Sequence, residues 1–220
     1  MSDLPKELRM RFRIKDILAR AEKLDLARET PATRYLERVA PDLDLAALDL
    51  SSFRYHPCLD HWASRVGTMP ALVVRARRNA SGQTSALHCI FLDRDGKLAH
   101  LVNPRLLVGP LDGAIAVLAG AGSGRSILCE TFETALSLVA KRVCGQILYG
   151  LKRENMRRVE LPRHHECICV FDAKRGVDLS AKAICAELRA RAIHARPALA
   201  SELTKADLYG MSTSCEEAGF

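Results

Sequence analysis

The sequence predicts an α/β protein: a mostly parallel sheet of about four strands flanked by helices, preceded by a small α+β accessory unit and an N-terminal helix. Three observations predict it. From residue 126 onward, short apolar runs alternate regularly with segments of helical period. Between residues 52 and 118 the apolar runs have strand length and are separated by turn-forming residues. Residues 4–28 place Leu8, Ile14, Ile17, Leu18, Ala21 and Leu24 mainly three and four apart, as one face of a helix requires. The expected divisions are a basic N-terminal helix over 1–29, an accessory domain over 30–119, an α/β domain over 125–210 and a tail over 211–220.

The N-terminal helix carries Arg9, Arg11, Arg13 and Lys15 among its apolar positions, read as a solvated face. Thr30-Pro31 then supplies a capping hydroxyl and a proline at the first helical position, and the helix so opened stops before Pro41. Segments 52–56, 70–77 and 85–92 read as strands. The second and third are joined by the turn-rich run Arg78 to Thr84, and the third is closed by Asp93-Arg94-Asp95-Gly96. Runs 105–109 and 114–118 flank Pro110-Leu111-Asp112-Gly113 and are expected to pair with each other.

Gly120 to Ser126 superficially resembles a phosphate-binding loop, but it is one residue short of G-x-x-x-x-G-K-[ST], has Arg125 for the lysine, and runs into a strand; it is read as a connector. Beyond it, 126–129, 145–150 and 166–171 are strands, 131–143 and 177–192 helices, 152–159 a short helix and 193–199 a fourth strand. Strands separated by helices run parallel, and ligands of such sheets bind at the carboxyl ends of the strands.

No stretch approaches the ~18 apolar residues of a membrane helix, and the first residues carry charges where a signal peptide has its apolar segment, so a soluble, cytoplasmic protein with no membrane partner is expected. The eight cysteines form no C-x-x-C pair and are read as small buried hydrophobes. His164, His165, Cys167 and Cys169 lie close together, but the two thiols alternate with Ile168 and Val170 in a strand, so zinc is not expected there. The net charge of +7 sits in one segment: residues 141–200 hold 13 Lys+Arg against 6 Asp+Glu, leaving 20 of each elsewhere. A local basic excess attracts polyanions through phosphate neutralisation. With one Trp, four Tyr and six Phe, no base-stacking platform is evident, and Trp62 is expected to plug the accessory core.

Glu130 follows the strand 126–129 and Asp172 follows the strand 166–171. Neighbouring parallel strands lie ~4.8 Å apart, so acids at their tips can share an oxygen-loving divalent cation, the arrangement that phosphoryl-transfer chemistry uses. An acid in this position is also a routine helix cap. Glu133, in the first turn of the next helix, is an accessory candidate, although the helix dipole favours an acid there in any case. Lys152, Arg153, Arg157 and Arg158 cluster after the second strand and are the candidate phosphate contacts.

The run Ile127-Leu128-Cys129-Glu130-Thr131-Phe132-Glu133-Thr134-Ala135-Leu136-Ser137 resembles the first motif of Toprim domains, in the branch found in primase-like proteins of plasmids and phages. Upstream, Thr33 to Arg38, Phe53 to Pro57, His88 to Asp93 and Leu107 to Pro110 look like the accessory region of that branch, so the resemblance covers roughly residues 27–210. It implies a Toprim-like fold for 125–210 and a magnesium-dependent, DNA primase-like nucleotidyltransferase acting in replication of a mobile element. DNA is favoured over RNA, and a helicase or replication initiator is the implied protein partner.

Carried over by motif, Glu130 matches the metal-holding glutamate and Asp172 the first aspartate of the Asp-x-Asp pair. The second aspartate is replaced by Lys174, and the usual glycine after the glutamate is Thr131. Exchanging a carboxylate for an ammonium changes the local charge by two units and weakens magnesium binding. Two expectations stand side by side: a primase-like enzyme with a degenerate metal site, or an inactive module that binds nucleic acid or a replication partner, with Lys174 contacting phosphate.

Overall fold

The computed structural model describes residues 6–64, 66–78, 83–120 and 124–203. The expected tail 211–220, the last residues of the expected 125–210 domain, and the middles of the 78–84 turn and the 120–126 connector lie outside them.

In chain order, the described elements begin with α1 (Lys6–Arg20), β1 (Glu22–Lys23) and α2 (Pro31–Val39), followed by β2 (Phe53–Asp60), β3 (Thr68–Arg77) and β4 (Thr84–Phe91). β5 (Arg105–Val108) and β6 (Ala116–Ala119) precede β7 (Arg125–Cys129), α3 (Phe132–Ala140) and β8 (Gln146–Tyr149). The remainder is α4 (Arg153–Met156), β9 (Glu166–Phe171), α5 (Leu179–Ala190) and β10 (His194–Leu199). α2 begins as its sequence requires: the Thr30 hydroxyl accepts from Thr33 N at 3.2 Å, Thr33 Oγ1 accepts from Thr30 N at 2.8 Å, and Pro31 takes the first position.

The expected fold class is overturned. Strands β1-β2-β3-β4-β5 form one antiparallel sheet, and β10-β9-β7-β8-β6 form a second, mixed one. Five strand pairings are antiparallel (β1–β2, β2–β3, β3–β4, β4–β5, β6–β8) and three are parallel (β10–β9, β7–β8, β7–β9). The architecture is therefore α+β with a mainly antiparallel strand set, not one mostly parallel sheet of about four strands. The physical reason lies in the connections. Short links such as those of β2–β3 and β3–β4 permit only hairpins, whereas parallel pairs need a crossover of a dozen or more residues.

The pair expected between 105–109 and 114–118 does not form. β5 pairs with β4, with Leu87 opposite Val108, while β6 pairs with β8, with Ala116 opposite Tyr149. The intervening turn carries the chain from one sheet to the other. It uses left-handed backbone at Gly109 (φ +94°) and Gly113 (φ +80°), where an added Cβ would collide with the carbonyl oxygens of Ser85 and Arg158 respectively.

The layers follow from side-chain alternation. One face of the antiparallel sheet carries Ala71, Val73, Leu87, Cys89 and Phe91, against which α1 sets Ile14 and Ile17. Trp62 packs edge-on to Phe91 at 6.2 Å, and Arg13 of the basic helix lies 4.1 Å over its ring. The opposite face, with Phe53, Leu72, Val74 and Ile90, shares one continuous core with Leu36 of α2, Phe132 and Leu136 of α3, and Ile127, Ile147, Ile168 and Val170 of the mixed sheet. The far face of the mixed sheet places Leu128, Leu148, Cys167, Cys169 and Phe171 against Ile184, Cys185 and Leu188 of α5. Two helices thus lie between two sheets, with a further helix covering each outer face.

Candidate functional site

The site is built where three strands of the mixed sheet end. Glu130 N donates to Val170 O at 2.9 Å and Gly150 N to Cys129 O at 2.9 Å, so the ladder extends one step beyond β7 on both sides and delivers Glu130, Leu151 and Asp172 to one rim. A cavity of about 370 Å³ opens there, lined among others by Glu130, Lys152, Arg153, Glu154, Asp172 and Arg175.

Glu130 and Asp172 are adjacent, but each carboxylate is already engaged by N–H donors. Glu130 Oε2 accepts from the backbone N–H of Asp172 at 3.0 Å. Asp172 turns its own Oδ1 to Lys174 N at 2.9 Å, and its carbonyl accepts from Arg175 N and Gly176 N, closing a tight loop. The Lys174 side chain is exposed on that loop.

Arg153 occupies the centre. As the first residue of α4, it sends its guanidinium back beneath the strand ends: Nη2 donates to Glu130 Oε2 at 2.9 Å and to Gly176 O at 3.4 Å, and Nη1 donates to Asp178 Oδ2 at 2.7 Å. The guanidinium carbon lies 5.1 Å over the Phe171 ring. The side chains of Arg153 and Glu130 are only 4% and 8% exposed. The hydrogen bond that Arg153 donates to Glu130 raises the Arg153 pKa against the opposing effect of burial. A second cation, Arg175, places Nη1 3.7 Å from Glu130 Oε1. Asp178 caps α5, accepting from Ala181 N at 2.9 Å, and that amide, with Arg153 beside it, holds its carboxyl below the usual range.

This donor set does not fit magnesium. One Glu130 oxygen is committed to two N–H donors and the other faces Arg175, while one Asp172 oxygen is committed to its own loop. A hard cation needs free carboxylate oxygens, and here two guanidinium groups already neutralise the central one. Among the described residues no group of three or more His, Cys, Asp or Glu side chains is arranged to hold a metal.

The other residues singled out from the sequence are dispersed. Glu133 faces away from this rim, into the junction between the sheets, where Tyr35 Oη donates to its Oε1 at 3.1 Å and Arg105 forms an ion pair with it. Burial, with Glu133 beside it, raises the Tyr35 pKa to about 12. Lys152 is exposed at the cavity mouth. Arg157 pairs with Glu187 at 3.4 Å, and the exposed Arg158 with Asp112 at 3.2 Å. Cys167 and Cys169 lie with their sulfurs 3.8 Å apart in the core under α5, while His165 Nε2 bonds Ser126 Oγ at 2.7 Å. In the sequence Arg153 groups with the surface cations, and only its position four residues past the end of β8 sets it apart. Arg175 gave no signal beyond its place in a basic loop.

The family model for a domain of unknown function, DUF7146, matches residues 9–118, half of the chain. The chain belongs to the DUF7146 family. The DUF7146 match takes in the antiparallel sheet and α2 and reaches into β6, whereas Glu130, Arg153 and Asp172 lie beyond it. No curated protein matches the chain. Among the described residues no helix is long and apolar enough to cross a membrane.

Proposed function

We propose that this chain is a nucleic-acid-binding module acting in the cytoplasm in replication of a mobile element, on DNA, with a Toprim-type metal site replaced by an internal ion pair. The observation that carries the inactive-module reading is the Arg153 guanidinium, buried 2.9 Å from Glu130 Oε2. It supplies, permanently, the positive charge that a magnesium ion supplies in phosphoryl transfer. The resemblance of residues 127–137 to the first Toprim motif and the basic excess over 141–200 support nucleic acid as the ligand. The same resemblance supports a helicase or replication initiator as its protein partner.

On this reading Lys152, Arg157 and Arg158 meet backbone phosphates, while Arg153 stays inside and maintains the rim. Binding is measured by fluorescence anisotropy with a labelled DNA strand over a salt series, and nucleotide incorporation is assayed with magnesium and with manganese. Salt-sensitive binding that weakens in Arg157→Ala/Arg158→Ala, without incorporation, is expected. Metal-dependent incorporation lost in Glu130→Ala overturns the inactive-module reading, and wild-type affinity in the double variant removes the basic patch from it.

A further inference from the structure

Three arginines of the antiparallel sheet gather in one patch. Arg28, Arg34, Arg105, Arg153, Arg157 and Arg158 each pair with a carboxylate. Arg54 on β2 and Arg75 and Arg77 on β3 form no carboxylate salt bridge among the described residues, yet they occupy one patch. Arg54 sits opposite Val73, so it shares a face with Arg75 and Arg77 by strand alternation.

All three guanidinium groups gather around one neutral turn. Arg54 Nη1 donates to Phe53 O at 2.6 Å and Arg75 Nη1 to Ser51 O at 3.0 Å. Arg77 Nη2 donates to Ser51 Oγ at 2.9 Å, and Arg77 Nε is buried with no partner. The nearby carboxylate, Asp49, accepts from Ser51 N at 3.0 Å and is a minor attraction for Arg75. The groups also disfavour one another's charge. The Arg54 pKa is lowered by burial and then by Arg77, and that of Arg75 by burial and then by Arg54 and Arg77.

The patch does not end there. Arg78 pairs with Asp112 at 2.8 Å, and the other oxygen of Asp112 takes Arg158 at 3.2 Å. A row of cations therefore runs from β2, across the end of β3, to the basic segment after β8. Convergent guanidinium forks held on rigid strands suit a phosphate, whose oxygens take paired N–H donors, and a row of them suits a chain of phosphates. We propose that Arg54, Arg75 and Arg77 bind a backbone phosphate of the nucleic acid, extending its path from the second sheet over the antiparallel one. This rests on the nucleic-acid reading and adds a binding surface within the DUF7146 region.

The test uses the full chain, Arg77→Gln, and Arg75→Gln/Arg77→Gln. Arg77→Gln removes one surface hydrogen bond to Ser51 and leaves the backbone bonds of residue 77 intact, so it keeps the fold. Anisotropy with a fluorescein-labelled DNA strand over a salt series should show weaker binding and a salt slope lower by about one for each phosphate that is no longer neutralised. Melting with inorganic tripolyphosphate should show a rise for the wild type that both variants reduce. Wild-type affinity and slope in both variants overturn the site while leaving the nucleic-acid reading standing. If the wild type binds no DNA, the nucleic-acid reading falls. The tripolyphosphate arm then decides: a rise that Arg77→Gln removes sustains a phosphate site, and no rise overturns it.

Discussion

Arg153 and Glu130 form a buried ion pair, 2.9 Å apart, at the point where β7, β8 and β9 all end. Removing one partner strands the other charge away from water, and the cost of doing so runs to about 3–5 kcal/mol. Arg153→Met should destabilise the chain by that order in urea unfolding. Arg153→Met combined with Glu130→Gln should recover part of the stability, because the orphaned charge is gone. A double variant no more stable than the single one would show that Glu130 is satisfied by the Asp172 amide alone.

Acid should weaken the fold through His88. This ring is buried between the sheets with Nδ1 3.2 Å from Tyr149 Oη, and burial, with Arg105 nearby, lowers its pKa to about 3. The unfolded chain takes up a proton near pH 6.5 that the folded chain refuses. Stability is therefore full above that pH and falls as pH drops toward 3, by roughly 1 kcal/mol for each unit. Urea unfolding at pH 6.5 and pH 5 should differ accordingly, and His88→Gln should flatten that part of the dependence.

Tyr35 should ionise late. Its hydroxyl donates to Glu133 and accepts from Arg105 at 3.3 Å, and its pKa is raised to about 12. Glu133→Gln removes a negative neighbour and should lower the tyrosinate midpoint in an absorbance titration. Its effect on stability should stay below about 1 kcal/mol, since Arg105 and Glu133 are 39% and 37% exposed and solvent screens the pair.

Unfolding should be a single event. Phe132 packs against Phe53 at 6.3 Å and Tyr149 at 5.6 Å, joining both sheets in one core. Phe132→Ala should cost about 3–5 kcal/mol. Fluorescence of Trp62, which lies on the antiparallel sheet, and far-ultraviolet circular dichroism should shift together. Separate transitions would show that the halves unfold independently.

Local chemistry is readable from the sequence; partners distant along the chain are not. Thr30-Pro31 opens α2 because a hydroxyl cap and a proline act on their own turn, and the acids 130 and 172 end neighbouring strands because period and spacing mark those strands. Which sheet receives β5 or β6 depends on residues as distant as Leu87 and Tyr149, and nothing within 105–118 states it. The inward turn of Arg153 is hidden for a related reason. An arginine in a basic run reads as a surface cation until the carboxylates 23 residues before it and 25 after it are brought together.

The crossing at Gly109 to Gly113 makes the two halves hard to separate. β6 falls mostly within the DUF7146 match but covers the edge of β8 in the second sheet. A cut after residue 118, where the DUF7146 match ends, would take away most of that cover and expose a row of unpaired amides and carbonyls open to any passing strand. Residue 118 is thus a limit of family similarity and a poor place for the scissors: the amino-terminal part ends in the strand that keeps the carboxy-terminal part from sticking to its neighbours.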